Sequence, residues 1–309
     1  MAIQAGQRRA AIGDLRFNRW WFAAAIGSVA ALGAAAPSGL YLLGFLGVII
    51  VTHEAGHLVV ARLSGMRPTE FYWGFGPEVF SIQIGDCRYG LKTLFLGGYV
   101  KIEGMTPTSE IPEGFPEQGT YRAASHLRRL LTILAGPGVN IATAIAAFGL
   151  VELRRGATLG ESLGIAVSLV NLVITATAAS LGRLVTQIGA YLSAVFDLSG
   201  ATEAPVRFLS PVGQATISGN VVEQGVGASL QWFGILACAV GAINLLPLPP
   251  LDGSHAVAAV AEWVVQRVRR DRSISFNVTK LVPVAYATLG ILVALSLTAL
   301  VLDLRDLTS

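Results

Sequence analysis

Apolar residues run through this chain in long uncharged blocks rather than in strict alternation with polar ones. No charged residue occurs between Trp20 and Thr52. As a single helix that stretch would be about 50 Å long, against a bilayer hydrocarbon core of about 30 Å. Pro37, Ser38 and Gly39 supply a break inside it, so the pattern predicts two spans, at 20–36 and 40–62. Further blocks predict spans at 130–151, 226–247 and 281–302, and the uncharged stretch 162–182 is also long enough to cross. The period changes between the second and third spans. Phe71, Tyr72, Trp73, Phe75, Val79, Phe80, Ile82 and Ile84 are strand formers in partial alternation, punctuated by Gly74, Gly76, Pro77 and Gly85. A second run, Tyr89 to Tyr99, ends on Gly97 and Gly98. The segment 66–104 therefore reads as a small antiparallel sheet beside the membrane, sheltered by protein or lining a wet cavity, because lipid cannot satisfy an open strand edge.

Composition agrees. Of the 309 residues 53% are hydrophobic and only 13% charged, about half the share of a soluble domain. This excludes a solvated globular, disordered or collagen-like chain and predicts a polytopic α-helical membrane protein. It would have about five transmembrane helices and a membrane-associated β-hairpin between the second and third. The organisation expected is an N-terminal segment with an extra helix (1–38), a membrane core (39–302) and a short tail (303–309). Cys87 and Cys238 set no disulfide framework. The net charge of +3 does not indicate nucleic acid, since no basic cluster comes with interleaved aromatics.

Charge sets the expected orientation instead. With a cytoplasmic N-terminus and five crossings, 17 of the 22 Lys and Arg fall inside. They comprise Arg8, Arg9, Arg16 and Arg19, the basic residues from Arg62 to Arg129, and Arg267, Arg269, Arg270, Arg272 and Lys280. That is the positive-inside pattern. A crossing by 162–182 would invert everything beyond it, so 156–225 is expected to be interfacial or partly embedded, without a net crossing.

The chemistry is concentrated in a few residues. Two of the four histidines form His53-Glu54-Ala55-Gly56-His57. Positions i and i+4 of a helix share a face, so both imidazoles can reach one metal ion with Glu54 beside it. Ionisable residues inside an apolar span are costly and mark function. A catalytic zinc takes three protein ligands and keeps one position open. The span 226–247 runs into Asn244-Leu245-Leu246-Pro247-Leu248-Pro249-Pro250-Leu251-Asp252-Gly253, where three prolines break the helix at its cytoplasmic end. The charge-derived topology brings His53, His57 and Asp252 to similar depth. Asp252 is also placed to cap a helix.

His53–His57 on a membrane helix, followed downstream by Asn244, Pro247, Pro249 and Leu251-Asp252-Gly253, resembles the site-2 protease family of intramembrane zinc metalloproteases. Gly74-Phe75-Gly76-Pro77 and Gly97-Gly98-Tyr99-Val100-Lys101 resemble that family's reentrant β-hairpin region. Ala135-Gly136-Pro137-Gly138-Val139-Asn140 resembles a motif of its next span. The resemblance implies one zinc ion per chain held by His53, His57 and Asp252, with Glu54 as general base. It also implies a multi-pass protein of the inner membrane, acting on single-span membrane proteins such as anchored anti-sigma factors or signal-peptide remnants. Asn244 is a candidate for holding substrate or the oxyanion, its alternative being to stabilise the helix break. Gly98, Tyr99, Val100 and Lys101 are candidates for strand addition by an unwound substrate, and Asn140 is a further substrate-side candidate. The interval 156–225 is too short and apolar for the PDZ domains of many relatives. His255 is expected near the metal without ligating it, and His126 at the membrane interface. The alternative is a metal or ion transporter with an intramembrane His/Asp site, but no inverted repeat is visible and such a path needs no Glu54. Four histidines are too few for a di-iron histidine-box enzyme.

Overall fold

The computed structural model describes residues 12–105, 111–196, 209–271, 274–276 and 278–308. Strand β1 (Ile12–Phe17) precedes helices α1 (Arg19–Ala35) and α2 (Pro37–Leu63), and two long strands follow, β2 (Pro68–Ile84) and β3 (Cys87–Ile102). Then come α3 (His126–Arg154), α4 (Leu159–Thr186), α5 (Ile188–Phe196), α6 (Pro211–Glu223), α7 (Val226–Asn244), α8 (Asp252–Arg269) and α9 (Val282–Thr308). Local chemistry explains several starts. Pro37 stands at the first position of α2, where a missing N–H costs nothing. Thr158 and Glu161 close a capping box on α4, and Ser210 caps α6 ahead of Pro211.

Among the described residues, five helices are long and apolar enough to cross a bilayer: α2, α3, α4, α7 and the Val282–Asp303 part of α9. Length and composition alone admit α4 and leave out α1, whose 17 residues reach about 25 Å against the about 30 Å core. Helix α4, expected to be interfacial or partly embedded without a net crossing, is a continuous 28-residue helix. Helix α9 continues to Thr308, so the expected tail is helical as far as that residue. Arg8, Arg9, Arg207 and Arg272, used in the charge argument, lie outside the described residues.

Two compact units form. One contains the sheet, Ile50–Gly136 and the chain from Ala258. Gly74 and Gly76, with φ of 93° and 84°, bend β2 so that its halves pair separately. Residues 70–73 lie between 88–91 and 98–101, while 78–84 pair with 87–92 and β1 pairs with 80–84. The first half of β3 is therefore interior. Only 98–102 forms an edge, which narrows the run Tyr89–Lys101 expected there. Strand β1, absent from the sequence expectation, is the opposite edge. In the same unit Arg129 donates to Glu262 at 2.7 Å and to the carbonyls of Tyr121, Arg122 and Ala124. This buried hub fastens the start of α3 to α8.

The other unit contains Leu32–Ile49 and Pro137–Val257, with α9. Its core joins Leu42 and Ile49 to Ala144 and Phe148, Ala166 and Val170, and Leu236, Ala237 and Cys238. A Cβ on Gly234 would stand 2.7 Å from the Phe148 ring, so this glycine sets how closely α7 approaches α3. Asp303 accepts from the Ser210 N–H at 2.9 Å and ties α9 to the start of α6.

Candidate active site

His53 and His57 lie one turn apart on α2, with ring centroids 4.8 Å apart. His57 Nδ1 is 2.8 Å from the Thr132 carbonyl oxygen. A carbonyl only accepts, so Nδ1 carries the hydrogen and Nε2 keeps its lone pair. That lone pair faces His53 Nε2 at 3.2 Å. Two ligand nitrogens on one tetrahedral zinc, with bonds of about 2.0–2.1 Å, stand about 3.3 Å apart. The carbonyl behind His57 is the kind of outer partner that orients a metal-ligating imidazole.

Space for the pair comes from Gly136 on α3. A Cβ there would lie 2.6 Å from His53 Nε2 and 2.8 Å from His53 Cδ2, and closer still to His57 Nε2. No side chain fits. The sequence showed Gly136 only as part of the run Ala135–Asn140 that resembles a family motif, and Thr132 gave no signal at all. Pro137 sits within α3, and its ring is fully buried.

Asp252 is the first residue of α8. Gly253 makes this start possible, because a Cβ on it would collide with the backbone carbonyls of Leu245 and Leu246. His53, His57 and Asp252 each offer a donor atom, and these atoms lie within 4.8 Å of one another. Two imidazoles and a carboxylate fit a catalytic zinc centre, whose fourth position stays open. His255 is half-buried on α8, and His126 is 3.0 Å from Gln266 Oε1.

The other expected residues fall in several places. Gly98 comes directly against Glu54: a Cβ on it would lie 2.9 Å from Glu54 Cγ, 3.0 Å from the Tyr72 backbone carbonyl oxygen and 3.2 Å from Ile50 Cγ2. Tyr99 and Lys101 are engaged in a polar network on the sheet. Tyr99 donates to Glu70 at 2.5 Å and accepts from Lys92 at 3.0 Å. Lys101 pairs with Glu103 at 3.1 Å and Glu70 at 3.6 Å. Burial and Glu70 push the Tyr99 hydroxyl pKa upward, and burial with Glu78 pushes Tyr72 up to about 12. Both phenols therefore remain neutral donors near pH 7. Val100 is half-buried and paired with Phe71. Asn244 ends α7, and its amide nitrogen donates to the Val240 carbonyl at 3.0 Å. Asn140 is fully buried in helix packing, beside the positions of Gly241 and Pro137.

Comparison with known proteins gives the same answer. Zinc metalloprotease Rip1 of Mycobacterium tuberculosis is 24% identical over 391 aligned positions, covering 86% of this chain and 96% of the relative. Rip1 of Mycolicibacterium smegmatis is 24% identical over 398 positions with the same coverage. These alignments are longer than the 309-residue chain, so the relatives carry stretches with no counterpart here. The family model for Peptidase family M50 matches residues 41–287, from within α2 to within α9, and encloses every residue of the candidate centre. With most of the chain inside that match, this protein belongs to peptidase family M50, the site-2 proteases, and is an intramembrane zinc metalloprotease.

Proposed function

We propose that the protein cuts single-span membrane proteins, such as anchored anti-sigma-like factors or signal-peptide remnants, inside or beside their membrane segments. His53, His57 and Asp252 hold the zinc in this reading and Glu54 is the general base. When bound, zinc lowers the pKa of water towards 7 and polarises the scissile carbonyl. Glu54 takes a proton from the attacking water at its carboxylate and returns it to the leaving amine. The common position of the three donor groups supports the ligand assignment. The lone pair left on His57 Nε2 by the Thr132 bond supports it independently.

The observation that carries the substrate side is the contact between Gly98 and Glu54. A transmembrane helix hides its carbonyls in i→i−4 hydrogen bonds, so substrate must unwind before it is cut. Its freed backbone groups then need partners. The edge segment 98–102 offers them by strand addition. The missing side chain at Gly98 makes room for Glu54 and Ile50 of α2, so the edge segment lies directly beside Glu54.

The protein lies in the inner membrane with its N-terminus cytoplasmic. Pairing of β1 with β2 supports an even number of crossings by α1 and α2, because one sheet holds the chain before α1 and the chain after α2 on the same side. The distribution of 17 of 22 basic residues, with α4 making no net crossing, supports the cytoplasm as that side. Val100→Pro tests strand addition, because it removes one edge donor. Cleavage should fall at least about tenfold, with zinc content unchanged and partial recovery in substrates carrying an extra Gly or Pro near the cut. Full turnover by a zinc-loaded Val100→Pro protein rules out strand addition at that position.

A further inference from the structure

Helix α8 is amphipathic in the wrong sense for water. Its 18 residues reach about 27 Å, yet it is not among the helices apolar enough to cross. Ala259, Glu262 and Gln266 follow one another at helical spacing along one face. That face is turned inward: Glu262 is buried against Arg129, and Gln266 bonds His126 and the Ile274 carbonyl. The opposite face carries Val257, Val260, Val264 and Val268, which are 43–76% exposed. Trp263 flanks this row and is 50% exposed. So the polar groups point in and the valines point out. Arg267, Arg269 and Arg270 cluster at the end of the helix, all exposed. At Arg270 the chain turns away with φ of 52°.

An outward valine row is unfavourable in water and favourable in hydrocarbon. Interfacial helices combine an apolar face, aromatic flanks and Arg or Lys at headgroup level. We propose that α8 is a lipid-anchored helix: the valine row lies in the bilayer, and Arg267, Arg269 and Arg270 bind anionic phospholipid headgroups. Charge complementarity selects anionic over zwitterionic lipid. Because α8 begins at Asp252, the same helix links the lipid surface to the candidate metal ligand. The surface itself does not depend on that assignment.

The test uses the full-length protein in phosphatidylcholine vesicles containing phosphatidylglycerol. Single cysteines replace Val260, Val264 and Val268 and carry a nitroxide, and Glu113→Cys serves as a water-facing reference. Cys87 and Cys238 are buried and should not compete for label. Collision with oxygen relative to a water-soluble nickel chelate should be at least about tenfold higher on the valine row than at Glu113, as expected for hydrocarbon burial. A ratio equal to the reference means water covers the face. Low collision with both reagents means protein covers it, including a second copy. Either result overturns the proposal. The second arm measures binding of a fluorescent phosphatidylglycerol to the detergent-purified protein. Changing Arg267, Arg269 and Arg270 together to Gln should weaken binding at least about tenfold, while a phosphatidylcholine probe is unaffected. Equal binding of phosphatidylglycerol by both proteins removes the anionic-headgroup assignment.

Discussion

Gly136→Ala isolates the space that the two histidines require. The added Cβ would sit 2.6 Å from His53 Nε2 and closer to His57 Nε2. Ordinary van der Waals contact begins near 3.4 Å, so the rings must retreat by about 0.8 Å or more, whereas metal–ligand distances tolerate only about 0.2 Å. The rings cannot both yield, because His57 is also held at 2.8 Å from the Thr132 carbonyl. One imidazole is lost from the centre. Disturbing only an outer partner costs about 10–100-fold in metal affinity, so losing a ligand should cost at least about 100-fold, or about 2.7 kcal/mol. Helix propensity acts the other way, since Ala is favoured over Gly by about 1 kcal/mol in a helix interior. The variant should therefore keep its helix content and lose its zinc. The assay is elemental analysis of purified protein after equilibration with a competing chelator, alongside circular dichroism. Gly138→Ala is the control, because its Cβ would meet nothing within 4 Å and zinc should remain. Wild-type zinc affinity in Gly136→Ala would refute the packing argument.

Gly98→Ala should retain zinc but slow cleavage about 100-fold, because the new methyl stands 2.9 Å from Glu54 Cγ and displaces the base; turnover with zinc quantified in the same sample checks this. Asp252→Ala should lose both metal and activity, and full zinc occupancy after that change would require another third ligand. Glu262→Ala leaves the Arg129 guanidinium, whose side chain is only 14% exposed, without its carboxylate. It should destabilise the protein by about 3–5 kcal/mol, measured by denaturation in detergent, and an unchanged midpoint would show that the three backbone carbonyls alone suffice.

The metal motif was legible because its signal is local: two histidines four apart on an apolar helix share a face whatever the rest of the chain does. The hairpin was legible from Phe71 to Ile84 because aromatic and β-branched residues alternate there between glycines. Strand β1 was not, since Ile12–Phe17 contains Gly13, Asp14 and Arg16 and pairs only along one edge. Nor was the division of β3 into interior and edge halves, which depends on the bends at Gly74 and Gly76. Gly136 was hidden for a different reason: its importance lies in the side chains of another helix, and no spacing rule reports that. The outward valine row of α8 was not legible either, since which face of that helix is inward depends on Arg129 and His126 of another helix.

The zinc content and proteolysis of Glu54→Gln test the central claim most directly. Purified wild-type protein and the variant are reconstituted with a single-span substrate, and both metal and cleavage products are quantified. Each protein should hold about one zinc per chain, the wild type should cleave, and the variant should lose at least about 100-fold, since Gln cannot accept the proton. A zinc-loaded Glu54→Gln protein that cleaves at the wild-type rate would contradict the central claim.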